Sequence, residues 1–192
     1  KLEMLIRLPN EPIEVTLNLI GRHNAANALA AATAAWSMGC TTEQIRRGLA
    51  SISPIKGRLQ PRSGLFGATV IDDTYNANPA SLEAGIQCLV ARTGTRVVVL
   101  GDMAELGDRS CELHRLAGEA VQTAGVEHLL TIGVESKIAA EGFGKGARHF
   151  ERVEELIDTT QKLLGADVTC LVKGSRSAGM ERVADALTDI RS

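Results

Sequence analysis

The sequence predicts an α/β protein whose larger part is a mainly parallel β-sheet with helices on both faces. From about residue 65 onward, short apolar runs alternate with segments whose apolar residues recur at helical spacing, which is typical of consecutive βαβ units. The run Val-Val-Val-Leu at 97–100 contains no polar residue, as expected for a strand that is covered on both sides. Aromatic residues make up only 3% of the 192 residues, so the core must be aliphatic.

The first 60 residues follow a different pattern, which predicts one strand and two helices. Val15, Leu17 and Leu19 alternate with polar residues, which indicates a strand. Asn24 is positioned to cap a first helix, and Gly39 is positioned to end it in a left-handed conformation. The buried face of that helix is predicted to comprise Ala25, Leu29, Ala32 and Trp36.

A second helix is predicted directly after the first. Thr41 and Gln44 have the spacing of a capping box, in which each side chain satisfies a free backbone group of the other residue. Its buried face is predicted to comprise Ile45, Leu49 and Ile52. Pro54 and Gly57 then break the pattern. Because one strand cannot bury both of its faces and the sequence does not begin with Met, we expect this piece to start inside a folded unit.

Five strands and four helices are predicted in the second part. The strands are 68–72, 96–100, 128–132, 147–150 and 168–172. Asn78 is predicted to cap the first helix, with Pro79 at its first position, and Ser110 to cap the second. The helices are predicted to bury, in chain order, Leu82, Ile86 and Leu89; Leu113, Leu116, Ala120 and Val121; Leu156, Leu163 and Leu164; and Met180, Val183, Leu187 and Ile190. The glycine-rich residues 142–146 do not follow a strand, so we interpret them as a flexible connection and not as a phosphate-binding loop.

Composition argues against several classes of function. The net charge of -2 and the lack of a long basic run argue against a nucleic-acid partner. No apolar stretch reaches the roughly 20 residues needed to cross a bilayer, and no signal peptide is visible, so we expect no membrane insertion. The cysteines are widely spaced, which argues against a metal site and favours a reducing, cytoplasmic setting. They are Cys40, Cys88, Cys111 and Cys170.

Charged and polar residues follow the carboxyl ends of three predicted strands. In an open parallel sheet these ends lie at one edge, where ligands bind. Carboxylates there can accept hydrogen bonds from a ribose or an ammonium group, whereas Lys, Ser and Arg side chains can bind a carboxylate or a phosphate. The candidates are Asp72, Asp73, Tyr75, Asn76, Asp102, Glu105, Lys173, Ser175 and Arg176. Because the three loops are predicted to converge, we expect a ligand site at this edge of the sheet.

Each of these features also has a purely structural interpretation. Asp72 and Asp73 can be solvated turn residues, and Asn78 is more typical of a helix cap than of a ligand contact. Residues 173–176 can form a polar turn before a helix that is capped at Ser177. Three histidines have no partner pattern and are predicted to be structural or exposed. They are His114, His128 and His149.

Five motifs resemble those of the Mur ligase family, and they occur in the family's order across nearly the whole chain. Residues 21–27 (GRHNAAN) resemble the G-x-H-N-x-x-N motif of the family's central domain, and residues 56–59 (KGRL) resemble its domain junction. Residues 72–79 (DDTYNANP), 100–107 (LGDMAELG) and 172–177 (VKGSRS) are similar in particular to the branch that adds D-alanyl-D-alanine. The chain is therefore identified as a member of this branch of the family.

The resemblance implies a fold and a reaction. Residues 61–192 are expected to form the family's Rossmann-like, doubly wound carboxy-terminal domain, and residues 1–60 the end of its central ATP-binding domain. With ATP and Mg²⁺, the enzyme is expected to phosphorylate the terminal carboxylate of UDP-MurNAc-tripeptide. The amine of D-alanyl-D-alanine then attacks the acyl phosphate, which gives the pentapeptide, ADP and phosphate in peptidoglycan precursor synthesis.

The resemblance also implies roles for individual residues. Asn24 and Asn27 are expected on the adenine side of ATP, and Asp73 at the ribose hydroxyls. Arg58 is expected to contact the terminal phosphate as the catalytic residue, because its planar fork suits a spreading negative charge. Tyr75 is expected to border the nucleotide. The residues expected to bind or shape the site for D-alanyl-D-alanine are Asn76, Asp102, Glu105, Lys173, Ser175 and Arg176.

Parts of the family's machinery are missing from this sequence. The phosphate-binding loop, the magnesium ligands and the domain that binds the uridine nucleotide are expected before Lys1, so we assign no metal ligand within the chain. We therefore predict that the chain does not ligate by itself. We also expect a monomer in the bacterial cytoplasm.

Three other interpretations compete with this one. A receiver-like, non-catalytic binding module would explain an acidic pair after the first strand and a Lys after the last, but its acceptor Asp is absent where the middle strand ends at Ile132. A folylpolyglutamate synthetase-like ligase would share the architecture but would not explain the motifs at 75–79 and 173–176. An interaction domain without catalytic activity also remains as an alternative.

Overall fold

The computed structural model describes residues 1–9 and 11–189 of the chain. The chain divides into two compact units, Lys1–Ile55 and a second unit that begins at Lys56. Each unit has its own apolar core and is described separately. Within the described residues, none of the helices combines the length and the hydropathy that crossing a bilayer requires.

The first unit is a β-hairpin covered by two helices. Its elements are β1 Leu2–Arg7, β2 Pro12–Leu17, α1 His23–Ser37 and α2 Thr42–Ala50. β1 and β2 are antiparallel, with Leu2 opposite Leu17. The alternation of Val15, Leu17 and Leu19 predicts β2 too late in the chain, since Leu19 lies beyond its end. β1 was not predicted, because Leu5 between Met4 and Ile6 interrupts the alternation of apolar and polar residues.

The core of the first unit lies between one face of the hairpin and the two helices. It comprises Ile6, Leu8, Ile13, Val15, Leu17, Ala28, Ala32, Ile45 and Leu49. The predicted capping box of Thr41 and Gln44 is confirmed, as is the left-handed Gly39 after α1. Because both helices present mainly small or aliphatic residues to the hairpin, this core needs no aromatic side chain at its centre.

Two predictions for α1 are wrong. Asn24 does not cap the helix, because it already lies inside it, and its side chain donates to the carbonyl of Ile20 at 2.8 Å. Leu29 is 48% exposed, and the buried positions are Ala28 and Ala32. The helix therefore turns its small residues toward the hairpin, which allows a close approach that Leu29 would prevent.

The second unit is built on a six-stranded sheet. Its strands are β3 Gln60–Ser63, β4 Thr69–Asp73, β5 Thr95–Gly101, β6 His128–Ile132, β7 Ala147–Phe150 and β8 Val168–Lys173. The five predicted strands correspond to β4 through β8 within a residue or two. β3 was not predicted because it has only four residues, with Gln, Pro, Arg and Ser in sequence and no apolar alternation. Its position comes from pairing with β4, in which Gln60 lies opposite Asp72.

The strand order is β3-β4-β8-β5-β6-β7, and only β3 is antiparallel to its neighbour. The last strand of the chain, β8, is thus inserted between β4 and β5. The mainly parallel sheet predicted from the sequence is confirmed. The carboxyl ends of β4, β8 and β5 consequently lie side by side, at the edge where the sequence predicts a ligand site.

Helices cover both faces of this sheet. They are α3 Pro79–Val90, α4 Ser110–Thr123, α5 Ser136–Phe143, α6 Val153–Gln161 and α7 Glu181–Leu187. One core cluster joins Val70, Val99 and Val172 of the sheet with Leu156 of α6 and Val183 of α7. On the opposite face, α3 packs so closely on β8 that a Cβ atom at its Gly85 would lie 3.0 Å from Leu171. The sheet is therefore doubly wound, with α3 on one face and α6 and α7 on the other.

The predicted helix starts are confirmed in part. Asn78 caps α3 with Pro79 at the first position, and Ser81 completes a capping box. Ser110 does not cap α4, because it is the first helical residue and the capping position, Arg109, makes no side-chain bond there. The predicted face of α4 is also wrong at Leu116, which is exposed. Ile190 lies outside the described residues.

The helices α4 and α5 cross closely at two glycines. A Cβ atom at Gly118 of α4 would lie 1.9 Å from the carbonyl oxygen of Ala139, and one at Gly142 of α5 would lie 2.5 Å from the carbonyl oxygen of Arg115. Gly142 and the buried Phe143 belong to α5, so residues 142–146 are not simply a connection, as the sequence analysis proposed. This contact explains why small residues, and not Leu116, occupy the packed face of α4.

We expect Gly118→Ala to destabilise the second unit by about 3 kcal/mol, because the added methyl group must push two helix backbones apart. Urea denaturation followed by circular dichroism measures this loss. Gly165→Ala is the matched control, since its Cβ atom would make only ordinary contacts at 3.5 Å or more. Equal midpoints for the two variants would contradict the close crossing.

Candidate functional site

The candidate site lies where the carboxyl ends of β4, β8 and β5 meet. β4 leads into α3 on one face of the sheet, whereas β8 leads toward α7 on the other. Such a change of face opens a crevice at the strand ends, and ligands of open α/β sheets bind there. In the strand register, Asp73 of β4 lies opposite Lys173 of β8, and Lys173 lies opposite Leu100 of β5. Lys173 therefore occupies the centre of this edge.

A buried ion pair joins the first two strands. The Nζ atom of Lys173 donates to Oδ2 of Asp73 at 2.5 Å and to the backbone carbonyl of Asn76 at 2.9 Å. Lys173 is only 1% exposed, and Asp73 is also buried. Burial lowers the pKa of Lys173 below its usual value, and the charge of Asp73 and the hydrogen bond between them counteract this shift only in part. The cation is thus retained in the interior by specific partners.

The carboxylate of Asp73 also holds a tight turn formed by residues 57–59. The backbone N–H of Leu59 donates to Oδ1 of Asp73 at 3.0 Å, and the backbone N–H of Tyr75 donates to the carbonyl of Gly57 at 3.0 Å. Gly57 has a φ of 75°, and a Cβ atom there would approach the nitrogen of Tyr75 to 3.1 Å. Leu59 also adopts a positive φ, 46°, which is unusual for a branched side chain. Both ends of the turn are therefore bound to the segment after β4.

Arg58 lies between these two anchored residues. Its guanidinium group lies over the ring of Tyr75, with the central carbon 4.2 Å from the ring centroid. A cation over an aromatic face is stabilised by the ring's quadrupole. Both side chains are exposed, Tyr75 by 47%, so the guanidinium stays accessible. The arrangement holds a planar cation at the edge of the crevice, where it can bind an anionic group.

The acidic pair at the end of β4 is divided between the two faces of the sheet, because successive strand residues point in opposite directions. Asp72 is fully buried and accepts hydrogen bonds from the backbone N–H and the hydroxyl of Thr74. It also forms an ion pair with Arg62 at 3.2 Å, and Arg62 reaches Asp185 at 2.7 Å. Asp72 is therefore structural. Arg62 is not among the predicted site residues, because it lies in the short polar strand β3, which has no apolar alternation.

Asp102 is engaged within the protein. Its Oδ1 atom accepts the backbone N–H groups of Glu135 at 3.1 Å and Ser136 at 2.7 Å, and its Oδ2 atom accepts that of Val134 at 3.0 Å. A Cβ atom at Gly133 would lie 2.3 Å from Oδ1, so this turn requires glycine. The carboxylate thus takes the place of a capping residue at the start of α5, and its role in ligand binding stays a prediction.

The loop after Asp102 is held by a histidine that the sequence analysis classed only as structural or exposed. The backbone N–H of Met103 donates to Nε2 of His114 at 3.0 Å, and Nδ1 of His114 bonds the carbonyl of Ser110 at 2.9 Å. Nε2 therefore acts as the acceptor of the loop, and Nδ1 faces the carbonyl of Ser110. The loop then exposes Glu105, which has a positive φ of 63°.

Of the two candidate site residues in the segment after β8, Ser175 is buried and Arg176 is exposed. Ser175 is buried, its backbone N–H donates to the carbonyl of Asp102 at 2.8 Å, and its hydroxyl bonds that of Ser177 at 3.1 Å. The side chain of Arg176 is 71% exposed, and Nη1 lies 3.9 Å from Glu181. The loops after β5 and β8 are therefore joined through their backbones, and Arg176 is left accessible.

The two asparagines predicted for the nucleotide belong to the first unit. Nδ2 of Asn27 donates to Oδ1 of Asn24 at 3.2 Å, so the two amides form a pair in the first turn of α1. The described residues contain no group of three His, Cys, Asp or Glu side chains that could hold a metal ion. The structure thus brings Arg58, Asp73, Tyr75 and Lys173 into one contact network within the second unit.

We expect Asp102→Ala to destabilise the second unit by about 3 kcal/mol, because three backbone N–H groups at the start of α5 lose their acceptor. Amide hydrogen exchange should show the loss at Glu135 and Ser136. Asp108→Ala is a suitable control, since Asp108 is exposed in the same loop. Retained protection of both amides in Asp102→Ala would exclude the capping role.

Known proteins share both the sequence and the fold. The family model described as "Mur ligase, glutamate ligase domain" matches residues 57–176. The UDP-N-acetylmuramoyl-tripeptide--D-alanyl-D-alanine ligase of Escherichia coli (strain K12) is 44% identical over an alignment of 190 positions that covers 97% of this chain and 42% of that protein.

Two solved structures extend the comparison. A crystal structure of MurF from Acinetobacter baumannii superimposes with a TM-score of 0.86 at 33% identity and covers 96% of this chain and 42% of its own. MurF ligase from Thermotoga maritima, crystallised in complex with ADP, shares the fold with a TM-score of 0.82 at 23% identity, over 95% of this chain and 44% of its own. The chain thus spans about two fifths of the length of these relatives.

Proposed function

This chain belongs to the Mur ligase family, and on that premise we propose that it acts as the carboxy-terminal part of a MurF-type ligase. The complete enzyme would join D-alanyl-D-alanine to UDP-MurNAc-tripeptide at the expense of ATP in peptidoglycan precursor synthesis. The observation that carries the proposal is the anchored Arg58, which presents an accessible cation beside Tyr75 at the switch point of the sheet. The family match supports this proposal over a receiver-like module.

The reaction has two covalent steps. A carboxylate oxygen of the tripeptide attacks the γ-phosphorus of ATP, so that ADP leaves and an acyl phosphate forms. The amine of the dipeptide then attacks the acyl carbon, phosphate leaves with the bonding electron pair, and the nitrogen loses a proton. Magnesium ions bound with the nucleotide would offset the charge of the phosphates. We propose that their ligands and the phosphate-binding loop belong to the complete enzyme outside this sequence.

On the nucleotide side, Arg58 is proposed as the catalytic residue. Charge on the transferred phosphoryl group spreads over its oxygens, and a preorganised guanidinium stabilises it without further rearrangement. Tyr75 supports that guanidinium and borders the nucleotide, and Asp73 is proposed to face the ribose. Asn24 and Asn27 are proposed for the adenine side, where their paired amides offer both donors and acceptors.

On the dipeptide side, the exposed residues are proposed to make the contacts. Arg176 can bind the carboxylate of D-alanyl-D-alanine, and the exposed Glu105 offers a carboxylate to its ammonium group. The side-chain oxygen of Asn76 already accepts the N–H of Ala77, so Asn76 is proposed to contact the dipeptide through the rest of its amide group. Asp102 and Ser175 are proposed to shape the pocket, because the hydrogen bond from the backbone N–H of Ser175 to the carbonyl of Asp102 joins the loops that carry Arg176 and Glu105. A monomer in the cytoplasm, with no nucleic-acid partner, completes the proposal.

Isothermal titration of D-alanyl-D-alanine into the complete ligase, with L-alanyl-L-alanine as the stereochemical control, tests the dipeptide site. We expect stereoselective binding that Arg176→Ala weakens about tenfold to a hundredfold, because a charge-assisted hydrogen bond contributes about 1.5–3 kcal/mol. Arg182→Ala, a change to an exposed arginine of α7, should leave the affinity unchanged. Equal effects of the two variants would refute the role of Arg176.

The 192-residue chain alone should release no ADP when both substrates and ATP are supplied, because its sequence contains no G-x-x-x-x-G-K-[ST] phosphate-binding loop. A coupled assay for ADP measures this, and the complete ligase serves as the positive control. Dipeptide-dependent ADP release by the chain alone would show that the phosphates are held in some other way.

A further inference from the structure

Lys173 is a cation in the interior of the protein at the end of the central strand. Its charged head donates to Asp73 and to the carbonyl of Asn76, and both partners come from the segment after β4. With 1% of its surface exposed, it offers no accessible donor to a substrate. A buried ammonium group is destabilising unless it is paired. The burial of Lys173 is therefore explained by its hydrogen bonds to Asp73 and to the carbonyl of Asn76.

The contacts continue from Lys173 to Arg58 in two branches. In the first branch, Lys173 neutralises Asp73, whose other oxygen accepts the N–H of Leu59. In the second branch, Lys173 fixes the carbonyl of Asn76, one residue after Tyr75, whose own N–H is bonded to Gly57. The two branches end on the residues that precede and follow Arg58. The position of its guanidinium over Tyr75 therefore depends on both.

We infer that Lys173 is a positioning residue of the ligation reaction, which acts through Asp73 and the segment at residues 73–76 to hold Arg58 in place. This inference rests on the proposed function and deepens it. Lys173 lies only three residues before Arg176 in the sequence. The inference nevertheless assigns it a role different from that of the residues that contact the dipeptide. Removal of Lys173 would leave the Asp73 carboxylate buried with a single N–H donor and would free the carbonyl of Asn76.

Steady-state kinetics of the complete ligase separate the two roles of Lys173. Lys173→Met should lower kcat on the order of a hundredfold, because displacing a catalytic group by about 1 Å costs that much. The KM for D-alanyl-D-alanine should change much less than kcat, because Arg176 and Glu105 stay in place, and Lys173→Arg should restore part of kcat. A raised KM for the dipeptide with unchanged kcat would overturn the inference and assign Lys173 to the dipeptide pocket.

A double-mutant cycle tests the route through Asp73. If Lys173 acts through that carboxylate, Asp73→Asn combined with Lys173→Met should lose much less kcat than the product of the two single losses, because only the branch through Asn76 is left for Lys173→Met to remove. Losses that multiply would mean that Lys173 acts independently, against the inference. The double variant also removes both buried charges, so it should fold even if Lys173→Met, with its unpaired carboxylate, does not.

Amide hydrogen exchange on the 192-residue chain gives a measurement that needs no activity. In Lys173→Met, and equally in the double variant, the amides of Leu59 and Tyr75 should exchange on the order of tenfold faster, because their acceptors are no longer held. Lys145→Met, a change to an exposed lysine, should leave them protected. Unchanged protection in the Lys173 variants would overturn the inference. If protection is lost as expected but the complete protein shows no dipeptide-dependent ligation, the proposed function fails and the positioning contact stands.

Discussion

The buried ion pair between Asp73 and Lys173 is the interaction on which the rest of the site depends. Two opposite charges in a dry interior are stable only when hydrogen bonds satisfy the remaining donors and acceptors. Here the backbone supplies them, since Leu59 donates to the carboxylate and Asn76 accepts from the ammonium group. The pair thus determines the positions of two backbone segments as well as two side chains, and the exposed Arg58 is carried by one of them.

This pair exists because of the order of the strands. One hundred residues separate Asp73 from Lys173 along the chain, and they meet only because β8 inserts between β4 and β5. The change of helix face at β8 opens the crevice at the same place. The site is therefore completed by β8, the last strand in the chain. Because β8 lies at the centre of the sheet and carries Lys173 at its end, the geometry of the site depends on the pairing of β8 with its neighbours. A sheet in simple sequential order would leave both residues without partners.

Periodicity was sufficient to predict most of the second unit, because strands buried on both faces give continuous apolar runs. It failed for β3, whose position depends on pairing, and for Leu29 and Leu116, where close helix packing favours small residues over large ones. For the site, the sequence predicted which loops converge. It could not predict that Asp102 is already occupied by three backbone N–H groups, because those donors lie more than thirty residues away in the chain.

Buried and exposed residues have different roles at this edge of the sheet, because the site loops contain residues with strained backbone conformations. Among the described residues, Leu59 and Glu105 are two of the three non-glycine residues with positive φ, and each lies in a loop of the site. A residue in that conformation costs on the order of 1–2 kcal/mol, so the surroundings must enforce it. Asp73 enforces it at Leu59 by accepting its N–H, and His114 restrains the loop of Glu105 by accepting the N–H of Met103. The buried polar side chains of the site thus form hydrogen bonds with backbone groups and restrict the loops to few conformations. Arg58, Glu105 and Arg176 are exposed on these restricted loops.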